Sequence, residues 1–336
     1  MKALFYLGPK RMELREFDPG ERAERSVRVR ILSAGICGTD IKTYLRGHHL
    51  FKPPTILGHE CVGVVEEKPY DFEKVEVGDY VVIAPYSECG VCEKCLKGIP
   101  ELCENKTYIP TGCFSQYVDI PMKHALKAIF KVSGPNDSFV LTEPLACVMT
   151  AIERMERLGR FEDALIIGGG VMGSLFALCI DGDEREVVIS EPHDWRREFL
   201  KDLGFRVVHP KDLDENRRYD VVIMASTVDE PFNFLDLVKD GGSLMLFGGY
   251  SKDSRFSLNP YHIHYREVNI VGSFGYSMRN FIRALNEIEK NEDKYAILIT
   301  HSYHIEDHNK AFERVVDRDC MKVVFRMWKD EEEQNP

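Results

Sequence analysis

No apolar run in this chain approaches the roughly 20 residues that a membrane helix needs. The segment after Met1 and Lys2, Ala3-Leu4-Phe5-Tyr6-Leu7, is too short for the apolar stretch of a secretory signal, so a cytoplasmic location is expected. Positive charge is also in short supply. Lys and Arg number 44 against 55 Asp and Glu, a net charge of −11. A surface that tracks phosphates needs clustered cations, so nucleic acid is not expected as a partner and a small-molecule substrate is. No internal repeat is present. What remains is a chain of 336 residues, 44% apolar and 29% charged, with the composition of a soluble globular protein and the length of two domains.

From Met1 to about Phe130, short β-branched runs such as Ser26-Val27-Arg28-Val29-Arg30-Ile31 and Asp79-Tyr80-Val81-Val82-Ile83 are separated by Gly and Pro turn signals, which predicts an all-β unit. After Glu143-Pro144 the texture changes. A helical stretch over 145–158 precedes strands at 164–167, 186–190, 220–225 and 243–247, alternating with helix-like segments, the pattern of a parallel α/β sheet. Beyond Gly272 the periodicity predicts helices around 281–289 and 306–316 and a closing strand near 323–325, which would return to the first domain. Residues 329–336 have no apolar anchor and read as a frayed tail.

Four of the ten cysteines crowd into one loop: Cys89-Gly90-Val91-Cys92-Glu93-Lys94-Cys95, then Cys103. Thiolates so close in sequence can wrap one tetrahedral ion without long chain closure, and four sulfurs leave no position for water, so a structural zinc site is expected. Iron–sulfur proteins share the first spacing but continue with a cysteine three residues later and then proline, which this loop lacks. Elsewhere, Gly35-Ile36-Cys37-Gly38-Thr39-Asp40 and Gly58-His59-Glu60 offer a thiolate, an imidazole and a carboxylate in turn-like settings, a mixed zinc set. Taken singly, Cys37 and His59 read as a buried thiol and a satisfied histidine, and it is the motifs together that turn the reading toward a metal site.

A third motif, Gly168-Gly169-Gly170-Val171-Met172-Gly173, follows the strand at 164–167 and opens a helical segment to Ile180. In that context the glycines serve a tight turn, close approach of Gly170 and its neighbours Val171 and Met172 to a pyrophosphate, and close helix packing. Glu191, at the end of the next strand, is placed to accept hydrogen bonds from ribose hydroxyls, which favours NAD over NADP. Arg196 and Arg197 follow, either to meet a phosphate or as a solvated helix face.

In this order the motifs resemble the zinc-containing medium-chain alcohol dehydrogenases, over nearly the whole chain. Thr142-Glu143-Pro144-Leu145 is similar to a segment of the sorbitol and threonine dehydrogenase branch. The resemblance implies an α/β chain with a GroES-like β-rich catalytic domain (1–142 and 272–336) and a Rossmann, doubly wound parallel-sheet cofactor domain (143–271). It implies two zinc ions per chain. One is catalytic, on Cys37 and His59 with Glu60 and Glu143 competing as third ligand, and one is structural, on Cys89, Cys92, Cys95 and Cys103. It further implies hydride transfer between a secondary alcohol, of polyol or sugar type, and NAD, with Thr39 as a hydroxyl relay or a turn-stabilising residue, and assembly as a homodimer or homotetramer. Asp40 is either a partner of a ligating imidazole or the cap of a helix starting near Ile41. The competing readings are a quinone or enone reductase of the same superfamily, which would lack Cys37, His59 and Glu143, and a non-catalytic NAD-binding protein stabilised by zinc. The segment between Cys103 and Tyr117 departs from the family by its shortness and by Cys113. His48 and His49 read as exposed loop residues, and Cys147 as a small buried one.

Overall fold

The structure, a computed structural model, describes residues 1–18, 20–48, 51–182 and 185–329. His49 and the tail from residue 330 lie outside them. The chain forms two compact units, one of Met1–Glu143 with the segment from Ser277 onward, the other of Pro144–Tyr276. The joins at 143/144 and 276/277 stand against 142/143 and 271/272 in the sequence reading.

In the first unit, β1 (Ser26–Gly35), α1 (Gly38–Arg46), β2 (Glu60–Glu67), β3 (Tyr80–Ile83), β4 (Tyr117–Pro121) and β5 (Ile129–Lys131) follow in chain order. The alternation Val27, Val29, Ile31 puts one face of β1 into the core. Alternation alone would send Arg28 to solvent, but it is buried. Asp119, opposite it on β4, takes its Nε at 2.7 Å and its Nη2 at 3.0 Å. A bidentate pair is what allows a guanidinium into this position. The unit is β-rich rather than all-β, since α1 and a helix at Met122–Ala128 interrupt it.

The second unit contains β6 (Asp163–Ile167), α2 (Val171–Ile180), β7 (Glu186–Ser190), α3 (Asp194–Asp202), β8 (Arg206–Val208), β9 (Tyr219–Met224), β10 (Val238–Leu246) and β11 (Asn269–Gly272). These strands are all parallel, in the order β8-β7-β6-β9-β10-β11. That is the doubly wound order, whose direction reverses between β6 and β9. Leu165, Val222 and Leu244, each fully buried, anchor its core.

The chain then returns to the first unit with α4 (Met278–Lys290), β12 (Ile299–His304), α5 (His308–Asp317) and β13 (Lys322–Arg326). Ser277 caps α4 by accepting from Asn280 N at 3.2 Å, and Phe281, Ala284, Leu285 and Ile288 form its buried face. The helix predicted from residue 306 begins at His308 instead, because Ile305–Asp307 close a tighter 3₁₀ turn first. The resulting sheet has the order β5-β3-β2-β1-β13-β12, with β4 also on β1. Phe114, Phe312 and Phe325 meet in its core, Phe114 edge-on to Phe325 at 5.0 Å. No helix among the described residues is long and apolar enough to cross a membrane.

The Arg28–Asp119 pair has a pH signature. Burial pushes the Asp119 carboxyl up, but the bonds from Arg28 and Ala23 N outweigh it and hold the group below its ordinary value. A depressed carboxylate stabilises the fold above its unfolded pKa, and that contribution is lost as pH falls through the folded one. Asp119→Ala should therefore cost about 2 kcal/mol at pH 7, from the loss of charged hydrogen bonds. In chemical unfolding the gap from the unsubstituted protein should narrow as pH drops below the usual carboxylate range. A gap that persists undiminished in acid would contradict this account.

Candidate metal centres and dinucleotide turn

Cys37 ends the loop after β1 and is the N-cap of α1. Its Sγ accepts from Thr39 N at 3.5 Å, while Asp40 accepts from Cys37 N at 2.9 Å. Asp40 is thus the third helical residue of a capping box, not the cap itself, because α1 starts at Gly38 rather than near Ile41. The same buried carboxylate accepts from Gly58 N at 3.3 Å and lies 3.8 Å from His59 Nδ1. One side chain therefore sets the distance between the two loops that carry Cys37 and His59. Donor atoms of Cys37, His59 and Glu60 lie within 4.8 Å of one another.

Burial pushes the His59 imidazole down, but the negative charges of Cys37, Asp40 and Glu143 outweigh it, and His59 rises well above its ordinary value. Glu143, half-buried in the first turn of the helix Thr142–Glu156, lies outside the three-donor group, yet its charge acts on both His59 and Lys322.

Lys322 is the residue that the sequence reading passed over. It opens β13, is buried, and places Nζ 2.6 Å from Glu60 Oε2 and 3.3 Å from Ile36 O. The pair crosses over Gly35, where a Cβ would lie 2.4 Å from Glu60 Oε2, so the motif's first glycine is required by this approach. Burial works against the lysine's charge, and Glu60, Cys37 and Glu143 more than restore it. Glu60 Oε1 is buried without a hydrogen-bond partner, and a carboxylate oxygen of Glu60 lies within 4.8 Å of the sulfur and the imidazole. A lone lysine inside the apolar run Cys320-Met321-Lys322-Val323-Val324-Phe325 was the available signal.

The four-cysteine loop converges as well. The sulfurs of Cys89 and Cys103 are 3.5 Å apart, Cys92 and Cys95 3.5 Å, Cys92 and Cys103 3.7 Å, Cys89 and Cys95 4.0 Å. Zinc–sulfur bonds of about 2.3 Å in a tetrahedron set sulfurs about 3.8 Å apart, so the cage has the dimension of that ion. Backbone N–H groups of Cys89, Cys92 and Asn105 donate to the sulfurs at 3.3 Å each. N–H groups of Cys95 and Glu104 bring the Cys92 thiol down to about 6, while burial raises Cys95 to about 12.

In the second unit, Gly168-Gly169-Gly170 turns from β6 into α2, whose N-cap Gly170 supplies no side-chain bond. The N–H groups of Val171 and Met172 therefore open the helix uncapped, as an anion site needs. Gly168 sits at φ +105°, and a Cβ on Gly173 would lie 1.9 Å from Gly168 O, so helix and turn touch only through glycine. Glu191 is buried. Its Oε2 accepts from Gly169 N at 2.7 Å and its Oε1 from His193 N at 2.8 Å, each oxygen keeping a further lone pair. Arg197 pairs with Asp194 and donates to the carbonyls of Glu191 and Pro192, so it serves the loop, whereas Arg196 Nη1 would be 3.3 Å from a Cβ on Gly170. His48 is half-buried against Phe51 rather than exposed, and Cys147 is buried.

Residues 23–129 match the alcohol dehydrogenase GroES-like domain. D-altritol 5-dehydrogenase of Agrobacterium fabrum is 30% identical over 97% of this chain and 99% of its own. D-arabinitol dehydrogenase 1 of Uromyces fabae is 28% identical over 97% of each. Among solved structures, an alcohol dehydrogenase of Escherichia coli CFT073 complexed with NADH shares the fold, with a TM-score of 0.84 at 23% identity over 97% of this chain and 99% of that one.

The sulfur cage yields a stability prediction. Cys95→Ser should lower Tm and open the 88–108 segment to proteolysis, with little loss of NAD affinity, as followed by limited digestion and calorimetry. An unchanged Tm would remove the cage from the fold's support.

Proposed function

Because the chain belongs to the zinc-containing medium-chain alcohol dehydrogenase family, in its sorbitol and threonine dehydrogenase-like branch, we propose that it oxidises a secondary hydroxyl of a polyol or sugar-type alcohol with NAD, or runs the reverse reduction. The reading rests above all on the convergence of donor atoms of Cys37, His59 and Glu60, a glutamate with one buried oxygen that no hydrogen bond satisfies. Those donors fit a zinc ion, with Glu143, whose charge acts on His59, as the competing or water-mediated ligand that the family resemblance implies. Bound there, zinc would supply Lewis acidity toward a hydroxyl oxygen and NAD the hydride-accepting ring.

The chain's own residues do the rest. Asp40 holds the Cys37 and Gly58 loops in register and orients the His59 ring from 3.8 Å. Thr39, two residues beyond Cys37, carries the hydroxyl that would relay a proton away from the substrate oxygen. Lys322 brings a positive charge to a pocket with three acidic groups, Cys37, Glu60 and Glu143. With a divalent ion present, its charge and that of Lys322 offset those three, while Asp40 beside His59 adds a further carboxylate held by two backbone N–H groups. The uncapped start of α2 would hold the pyrophosphate, and the remaining lone pairs of Glu191 would accept from the ribose hydroxyls. Its negative charge there opposes a 2′-phosphate, hence NAD rather than NADP.

The polyol class is supported by the two relatives named above, whose names specify sugar alcohols. The proposal includes a second, structural zinc in the four-cysteine cage. It also includes a cytoplasmic location, as the sequence reading expects, and a homodimeric or homotetrameric assembly, which the family resemblance alone carries.

His59→Ala should abolish NADH formation from any polyol substrate while leaving NAD affinity, measured by nucleotide fluorescence titration, nearly unchanged. Retained turnover would sink the zinc mechanism. Lys322→Met should destabilise the metal-free protein by about 3–5 kcal/mol, the cost of stranding one partner of a buried pair. Zinc should reduce that deficit by taking over the charge of Glu60, and Lys322→Arg should restore most of it. Equal losses with and without zinc would show that the lysine serves the fold alone.

A further inference from the structure

Cys61 and Cys113 are two buried cysteines that neither metal site uses, and their sulfurs lie 2.9 Å apart. Cys61 follows Glu60 on β2 and therefore faces the opposite side of the strand, into the hydrophobic core that also contains Cys113 and Phe114. Both backbones are fixed. Cys61 pairs with Ala34 of β1, while Cys113 N donates to Gly58 O and Phe114 N to Leu57 O, each at 2.9 Å. The loop can lie this close only because residue 112 is glycine, where a Cβ would be 2.1 Å from Leu57 O and 2.4 Å from Ile56 O. A disulfide needs its sulfurs about 2.05 Å apart, so closure asks for a movement of roughly 0.9 Å between anchored side chains.

We propose that Cys61 and Cys113 are a disulfide-forming pair, oxidised by a peroxide, which staples the 111–114 loop to the strand that carries Glu60. One thiol attacks the peroxide O–O bond and becomes a sulfenic acid, releasing water. The second sulfur then displaces the sulfenic oxygen, which leaves as a second water with the remaining thiol proton. Two electrons pass from the sulfurs to the peroxide, and nothing else is consumed. Both thiols are buried away from water, so the reaction is slow beside that of an exposed thiolate. Peroxide is small enough to enter through local opening, whereas a bulky disulfide reagent is not.

The bond would enclose residues 62–112, a long loop that contains the four-cysteine cage, so the oxidised form should be the more stable one. Because Cys61 lies on the core side of β2, oxidation should leave the metal donors in place. The inference does not depend on the dehydrogenase reading, since its readout is covalent.

The test uses zinc-loaded full-length protein, fully reduced and then treated with hydrogen peroxide. After denaturing alkylation and proteolysis, mass spectrometry should find the Cys61 and Cys113 peptides joined, each short of one hydrogen, and the link should be reversed by dithiothreitol. Tm should rise by several degrees on oxidation of the unsubstituted protein and stay level in Cys113→Ala. The unsubstituted protein alone decides the matter if that variant folds poorly. Recovery of both cysteines in alkylated form, at peroxide doses that already oxidise other thiols of the chain, would overturn the proposal. So would their appearance as separate sulfinic or sulfonic acids.

Discussion

Glu60 and Lys322 are both withdrawn from water, and two opposite charges in that position have to be placed together or not buried at all. Their contact ties β2 to β13 across β1, three adjacent strands of one sheet whose partners lie far apart in sequence. It also fixes which oxygen of Glu60 is spoken for. Oε2 belongs to the lysine, and Oε1 is left buried with no donor, in a side chain that stands within reach of Cys37 and His59. The metal pocket is in this sense a consequence of how the sheet closes: the C-terminal strand brings the cation that lets an acidic pocket exist in the core of a β-rich unit.

Asp40 does for the loops what Lys322 does for the strands. Its carboxylate closes the capping box of α1 and reaches the Gly58 N–H, so the turn that presents Cys37 and the turn that presents His59 share one anchor. Burial raises its pKa, and the neighbouring His59 and the two backbone donors oppose that rise. In the second unit the logic is different. There the anion site is made of backbone N–H groups at the start of α2, and Glu191 both braces the Gly169 turn and keeps lone pairs in reserve.

Much of this was legible in the sequence, and the reason is periodicity and spacing. The parallel sheet was visible because its strands are nearly continuous apolar runs separated by helices, and the cysteine cage because its ligands are neighbours in the chain. The glycine turn was visible because it follows a strand. What sequence could not show was long-range pairing. Nothing near Arg28 announces Asp119, 91 residues away, and nothing near Glu60 announces Lys322, 262 residues away, although a lysine in an apolar strand is a visible anomaly. Local geometry also decided small points against the pattern. A thiol caps α1, which moved Asp40 from cap to capping box, and a 3₁₀ turn delayed α5 to His308. Cys113 stood out only as an oddity until the fold set it against Cys61.

The most direct measurement is the metal content of the purified chain taken together with NADH formation over a panel of sugar alcohols, sugar acids, threonine and simple alcohols. The account predicts two zinc ions per chain and NAD-dependent oxidation of a polyol or related secondary alcohol that is lost when the more labile zinc is chelated. One zinc per chain with no turnover on any member of the panel would contradict it.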